Sequence, residues 1–197
     1  MVDGVEADDV IGTLARQAAA QGIDVVISTG DKDLAQLVDE HITLVNTMSN
    51  EALDAAGVRA KFGVPPERNV DYLTLVGDAV DNVPGVAKVG PKTAVKWLTQ
   101  YDSLDGVIAA AADIGGVVGE NLRTALDFLP LGKKLVTVRC DLELPQTLAE
   151  LAPRAPDRTR MIELFTRYEM KSWLKEAQGE PPPEPPAPAQ VEAAALL

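Results

Sequence analysis

Gly77-Asp78-Ala79-Val80-Asp81-Asn82-Val83-Pro84-Gly85-Val86, continued by Gly90-Pro91-Lys92-Thr93-Ala94, decides how the rest of the chain is read. Two carboxylates three residues apart lead into a Pro-Gly turn. A second glycine follows, and then a helix start that carries Lys92 and Thr93. The acidic half is suited to a divalent cation, and the glycine half to a phosphodiester backbone. Asp78 and Asp81 would share one face if the segment were helical. A capping pattern is the plainer reading, but the Pro-Gly turn follows at once.

The glycine half has its own logic. Backbone N–H groups between Gly85 and Gly90, just ahead of a helix, stand where a phosphate can approach. Lys88, Lys92, Lys96 and the Thr93 hydroxyl add charge and donors. Such contacts hold a strand without reading its bases. A tight turn packed over Trp97 and Leu98 is fully compatible with this. A nucleotide-binding P-loop is not, although Gly85 and Gly90 have its spacing. Pro91 intrudes, Lys92-Thr93 falls one position late, and no hydrophobic strand precedes the glycines.

Upstream, Glu6-Ala7-Asp8-Asp9 opens an apolar periodicity of Val10, Ile11, Leu14, Ala15 and Ala18, which predicts a helix ending near Gly22. Acids at a helix start also serve the dipole, so capping alone accounts for this motif. Ile23 to Ser28 predicts a buried strand. It ends in Thr29-Gly30-Asp31-Lys32-Asp33, with Leu34, Leu37 and Val38 opening a helix. Ligands in open α/β sheets bind just beyond strand C-termini. Turn and cap chemistry explains the same aspartates equally well. Ile42 to Asn46 predicts a second strand and Leu53 to Phe62 a helix. Val70 to Val76 is a helix or strand that delivers Asp78. His41 is the only histidine and reads as a surface residue.

Beyond Gly77 the β signal stops. Short helices are predicted over Thr93–Gln100, Leu104–Ala112, Glu120–Phe128 and Leu131–Val138, and one amphipathic helix over Asp157–Leu174. After Gln178 the run Gly-Glu-Pro-Pro-Pro-Glu-Pro-Pro reads as a stiff, solvated linker.

The 197 residues are 46% hydrophobic, which places the chain among globular proteins. No apolar run approaches a membrane span, the N-terminal residues do not read as a signal peptide, and Cys140 is alone. The expected setting is cytoplasmic. A net charge of −12 argues against nucleic acid until its distribution is examined. Fifteen acids face five Lys/Arg up to Ala87, whereas seven Lys/Arg face five acids from Lys88 to Arg139. A local surface is not set by the whole-chain charge. The acids Glu6, Asp8, Asp9, Asp31, Asp33, Asp78 and Asp81 come from three separate loops. Converging without cations, they would repel one another. Mg2+ or Mn2+ relieves that repulsion through oxygen ligands, and a pair of ions can clamp an in-line phosphoryl displacement.

Three motifs in order carry a resemblance. They are Gly4-Val5-Glu6-Ala7-Asp8-Asp9-Val10-Ile11-Gly12, Ser28-Thr29-Gly30-Asp31-Lys32-Asp33, and Gly77-Asp78 through Gly85 with Lys92-Thr93-Ala94 behind it. From Val2 to Trp173 the chain resembles the 5′→3′ exonuclease (flap endonuclease-type) domain of bacterial DNA polymerase I. The resemblance implies a truncated PIN-like or resolvase-like parallel α/β domain. An all-helical helix–three-turn–helix DNA-binding subdomain and a disordered Pro-rich tail would follow. The expected divisions are 1–80, 81–176 and 177–197.

The implied activity is metal-dependent cleavage of 5′ flaps and nicked duplexes in replication and repair, with covalently linked polymerase domains in the parent protein. Glu6, Asp8, Asp9, Asp31, Asp33, Asp78 and Asp81 would bind metal, with Asp8, Asp31, Asp33 and Asp81 catalytic. Gly85, Lys88, Gly90, Lys92, Thr93 and Lys96 would bind DNA. Two Mg2+ (or Mn2+) ions are implied for the intact site, and K+ at the hairpin. Two departures stand out. The family carries a further N-terminal part, with an opening strand, its own metal-binding aspartate and an arch. Cleavage by this chain is therefore expected to be weak, with apolar surface exposed and stability marginal. The family also usually has glycine where Lys88 stands, and left-handed backbone there strains lysine. The rival expectation is a non-catalytic helical DNA-binding or scaffold protein with a vestigial acidic half. An Mg-dependent phosphatase is weaker still, for lack of a nucleophile motif.

Overall fold

The acidic N-terminus folds as the periodicity requires. In the computed structural model, which describes residues 4–179, helix α1 spans Ala7–Ala19 with Asp8 and Asp9 in its first turn. Strand β1 (Val25–Ser28) pairs in parallel with β2 (Ile42–Asn46), Val25 opposite Ile42 and Ser28 opposite Val45. Between them Asp33–Leu37 forms a 3-10 helix, shorter than the α-helix expected there. Alternation fixes which face is buried. Ile27, Ile42 and Leu44 point to a core shared with Ala15, Leu34, Leu37 and Val58. On the other face of β1, Val26 is 67% exposed, and β1 ends the sheet order.

The sheet is not purely parallel. Strand β3 (Glu51–Leu53) joins β2 antiparallel, Leu44 opposite Leu53. Asn46 makes the reversal possible: its side chain accepts the N–H groups of Met48 and Ser49. Helix α2 (Ala55–Phe62) then starts two residues later than expected. Asp54 caps it by accepting the Gly57 N–H at 2.7 Å, and Gly63 ends it in the left-handed region.

Helix α3 (Asn69–Val76) begins a second core, built from Tyr72, Leu73, Leu75, Trp97, Leu98, Leu104, Val107, Leu122 and Leu129. It is helix rather than strand, and it is enclosed by α4 (Pro91–Tyr101), α5 (Leu104–Ala109), α6 (Gly116–Ala125) and α7 (Leu129–Leu135). Asp71 is buried among them. Its carboxylate accepts the Leu104 N–H at 3.0 Å and pairs with Lys133 at 3.0 Å. Phe62 packs on both cores, edge-on to Tyr72 with ring centroids 6.0 Å apart.

Contrary to the sequence reading, strand geometry returns at Gly77. Strand β4 (Gly77–Asp78) pairs antiparallel with β5 (Val83–Pro84), so Asp78 and Asp81 do not share a helical face. Two glycines permit this close approach. Gly77 has φ +81°, and a Cβ there would fall 2.8 Å from the Val83 carbonyl oxygen. A Cβ on Gly85 would overlap the Val76 carbonyl. Lys88 does adopt the left-handed backbone, at φ 63°.

By contacts the chain divides after Leu151. In the unit that follows, one expected helix is two: α8 (Arg158–Arg167) and α9 (Lys171–Gln178), broken where Glu169 takes φ 54°. Phe165 and Trp173 meet across that break, ring centroids 5.6 Å apart. The Pro-rich tail from residue 180 lies outside the described residues.

Two substitutions test the hairpin. Gly85→Ala is expected to cost roughly 2–3 kcal/mol, because backbone must move to admit the methyl. Lys88→Gly is expected to add about 1 kcal/mol by removing a left-handed side chain. Urea unfolding of both variants beside the parent measures each shift.

Candidate metal centre and backbone-binding hairpin

The loop after β1 is shaped by its own side chains. The Thr29 hydroxyl accepts the Asp31 N–H at 2.9 Å, and Asp31 in turn accepts the Asp33 N–H at 2.9 Å. These two turns aim Asp33 inward at the head of the 3-10 helix. The β4–β5 turn brings the other partners. Asp78, 2% exposed, accepts the Val80 N–H at 2.8 Å, and Asp81 stands at the exposed lip. One carboxylate oxygen from each of Asp33, Asp78 and Asp81 lies within 4.8 Å of the others. Asp33 Oδ1 is buried without a hydrogen-bond partner. An all-oxygen set with an unsatisfied inward oxygen fits a hard divalent cation.

The remaining acids divide. Asp8, half-buried in the first turn of α1, has its carboxyl pushed upward by burial, then by Asp31, Glu6, Asp81 and Asp9. It therefore feels the same cluster from a different element. Glu6, Asp8, Asp9, Asp33 and Asp81 all line one cleft of about 690 Å3. Asp9 is the acid already engaged elsewhere. Its two oxygens accept the Glu6 N–H at 3.3 Å and the Arg139 N–H at 2.9 Å. The capping interpretation holds for Asp9 in this respect.

Sequence reasoning passed over Lys32. Its ammonium contacts Asp78 at 2.9 Å from between two aspartates of the neighbouring loop. A lone lysine inside an Asp-rich loop was the available signal. Burial pushes Asp78 up, but the Lys32 hydrogen bond, the Val80 N–H and the Lys32 charge carry it below its ordinary value. Asp33 goes the other way. Burial first, then Asp31 and Asp78, raise it to about 7, with Lys32 opposing.

Also unforeseen was a strap formed by residues 136–142. Gln36 donates to the carbonyls of Asp33 at 2.8 Å and Val136 at 2.9 Å, and accepts the Val138 N–H at 3.0 Å. Thr13 donates to the Arg139 carbonyl at 3.5 Å and accepts the Leu142 N–H at 3.3 Å. Gly12 leaves room for it: a Cβ there would stand 2.7 Å from Val138 Cγ1. The strap thus binds the end of α7 to the element that carries Asp33.

The hairpin sits beside the acids in sequence and fold. Gly90, in extended backbone, caps α4, with Pro91 in the first turn. Lys88, Lys92 and Lys96 are exposed, and none has a carboxylate partner within 4.0 Å among the described residues. Thr93 is half-buried. The N–H groups of Ala87, Lys88 and Gly90 likewise have no partner among the described residues. Asn121 braces the turn from behind, donating to the Ala87 carbonyl at 2.7 Å. Ala94, Trp97 and Leu98 are buried beneath it, so the packed-turn reading holds as well. His41, half-buried, contacts the exposed Asp24 at 3.0 Å and is not among the residues of the cluster.

Among the described residues, no helix is long and apolar enough to cross a membrane. Residues 1–63 match the family "5'-3' exonuclease, N-terminal resolvase-like domain", and residues 64–159 match "5'-3' exonuclease, C-terminal SAM fold". The chain is 47% identical to DNA polymerase I of Pseudomonas aeruginosa, over 97% of this chain and 23% of that one. It is 40% identical to a 5'-3' exonuclease of Aquifex aeolicus, over 88% and 59% respectively. The chain thus spans less than two thirds of either relative. A bacteriophage T5 flap endonuclease, solved as a pseudo-enzyme-product complex with DNA and metal ions, superposes with a TM-score of 0.65 at 15% identity. That superposition covers 89% of this chain and 60% of the phage protein, and it establishes likeness of fold.

Asp33 supplies a pH test. Its folded pKa of about 7 exceeds the ordinary value of 3.8, so its contribution to stability is present at low pH and lost as pH rises toward 7. Melting temperature in EDTA is expected to fall between pH 4.5 and 7.5, and Asp33→Asn to flatten that fall. Gln36→Ala breaks three hydrogen bonds in one step and is expected to cost about 1–3 kcal/mol by urea unfolding.

Proposed function

Because the chain belongs to the 5′-3′ exonuclease family, we propose that it binds DNA and a divalent cation as the nuclease segment of a DNA polymerase I-like protein. One observation carries the reading. Carboxylates from separate loops close to within 4.8 Å around an unsatisfied buried oxygen. That cluster adjoins a turn where, among the described residues, three cations lack a carboxylate partner and three amides lack an acceptor.

Asp33, Asp78 and Asp81 would hold the cation, with Asp31 and Asp8 completing the oxygen set from the adjoining loops. Mg2+ or Mn2+ fits such ligands. When bound, it supplies Lewis-acid polarisation of a phosphodiester and of water. The chain's own groups do the rest. Lys32 holds Asp78 ionised and oriented. Lys88, Lys92, Lys96, Thr93 and the amides between Gly85 and Gly90 grip phosphates without reading bases. Asp33, protonated in part near neutral pH, must lose its proton to bind metal, so affinity rises with pH.

The substrate class is duplex DNA with a 5′ flap or nick. Residues 1–80, joined by Asp81, would carry the cation and 81–176 the DNA. A K+ ion at the hairpin rests on the resemblance alone. Asp33, Asp78 and Asp81 assemble one cation position among the described residues, and this reading keeps the expectation of weak cleavage. The engagement of Asp9 with backbone favours the second reading, a DNA-binding scaffold with a vestigial site.

Calorimetric titration with Mn2+ separates the two readings. Binding that strengthens from pH 6 to pH 8 and weakens roughly tenfold or more in Asp81→Asn is expected. No heat at any pH leaves the scaffold. A 5′-flap cleavage assay with Mg2+ or Mn2+ should give slow, metal-dependent product that Asp31→Ala abolishes. Fast turnover would refute the weak-cleavage claim, and metal-independent cleavage the nuclease site itself.

A further inference from the structure

Lys32 enters the cluster as a cation among acids, and its contact is selective. Asp33, Asp78 and Asp81 gather their oxygens within 4.8 Å, yet only Asp78 has a cation within 4.0 Å among the described residues. Asp78 is also the most deeply buried of the three, its side chain 3% exposed. A buried carboxylate without a counter-charge is strongly destabilising, and the ammonium offsets that.

The two oxygens of Asp78 are held in different ways. Oδ1 accepts the Val80 N–H at 2.8 Å, a bond within the β4–β5 turn that ties the carboxylate to its own backbone. Oδ2 meets the Lys32 ammonium at 2.9 Å. The Val80 bond therefore keeps the carboxylate in place whether or not the lysine stays. A cation ligated by Asp33, Asp78 and Asp81 would put a dication and an ammonium on one carboxylate. Like charges at that range repel.

Lys32 can leave without disturbing its loop. Its backbone is set by the Thr29 and Asp31 turns on either side and by the Ala35 N–H, which its carbonyl accepts at 3.1 Å. The four-carbon stem alone has to swing, and the side chain is already 37% exposed. No second carboxylate lies within 4.0 Å of the ammonium among the described residues. An arginine would grip Asp78 with a planar fork, whereas a point-charge ammonium on a flexible stem exchanges readily for another cation.

We infer that Lys32 is an internal counter-ion that competes with the divalent cation for Asp78: the ammonium holds the carboxylate until the cation displaces it. The inference rests on the metal-binding reading and deepens it, because the site then has an occupant of its own that is exchanged for metal. Two effects oppose each other. Lys32 steadies the cluster and, by the same contact, weakens its apparent affinity for the cation.

Mn2+ calorimetry and melting curves, all at one pH, compare the parent chain with Lys32→Met, Lys32→Arg and Asp81→Asn. Lys32→Met is expected to lower the melting temperature in EDTA and to tighten Mn2+ binding several-fold. Saturating Mn2+ should then raise its melting temperature by more than the parent's. Lys32→Arg keeps the charge and should bind Mn2+ no more tightly than the parent. The parent chain supplies a readout that needs no variant: acylation of its lysines by an amine-reactive ester, read by mass spectrometry. Saturating Mn2+ should make Lys32 react several-fold faster. Lys61, paired with Glu51 at 2.7 Å outside the cluster, should not change. Mn2+ binding that Lys32→Met weakens or leaves unchanged overturns the inference, as does labelling of Lys32 that Mn2+ does not speed. If Asp81→Asn weakens Mn2+ binding in that case, the metal site stands and the counter-ion role alone falls. If the parent binds no Mn2+, both fall.

Discussion

Carboxylates crowded within 4.8 Å of one another repel, and every feature around them answers that repulsion. Asp78 is neutralised locally by Lys32 and by a backbone amide. Asp33 keeps its proton to about pH 7. Asp81 is left in solvent. Three acids in one cluster thus meet the same penalty by ion pairing, by protonation and by hydration. A bound cation would substitute for all three, which is why the cluster is read as a binding site rather than as surface charge.

Holding repelling groups together needs rigid support, and the support comes from far along the chain. Gln36 and Asp9 both reach residues of the 136–142 strap, about a hundred positions away or more. The strap fastens α7 to the strand-helix layer while α7 itself belongs to the helical core. Phe62 joins the two cores from the opposite direction in sequence, just before the chain passes into the second. The acids therefore stand at a seam between two packed regions, where neither region alone would fix them.

Much of this was readable locally. The β-branched run Ile42–Asn46 is β2 to the residue, and the apolar spacing after Asp9 is α1. The Pro-Gly and Gly-Pro pairs did mark the hairpin and the start of α4. What escaped was of another kind. Strand β3 has three residues and depends on the Asn46 turn, while β4 and β5 have two each and depend on glycine contact. No periodicity develops over such lengths. The break between α8 and α9 falls at Glu169, a residue without helix-stopping chemistry, so the apolar pattern ran straight through it. Lys32 and Gln36 gained meaning only through partners in space. The acidic set itself was nameable from sequence, but the use of Asp9 as a backbone tie was not.

The free margin of β1 also bears on the acidic loop. Val25–Ser28 bonds to β2 on one side, and on the other its peptide groups are open among the described residues. Val26 adds an exposed branched side chain there. An unpaired, flat strand margin templates the addition of any extended segment that meets it. No proline or lysine within those four residues blocks such addition. An extended segment laid along this margin would complete the row of peptide hydrogen bonds beside the strand that leads into the Asp31–Asp33 loop.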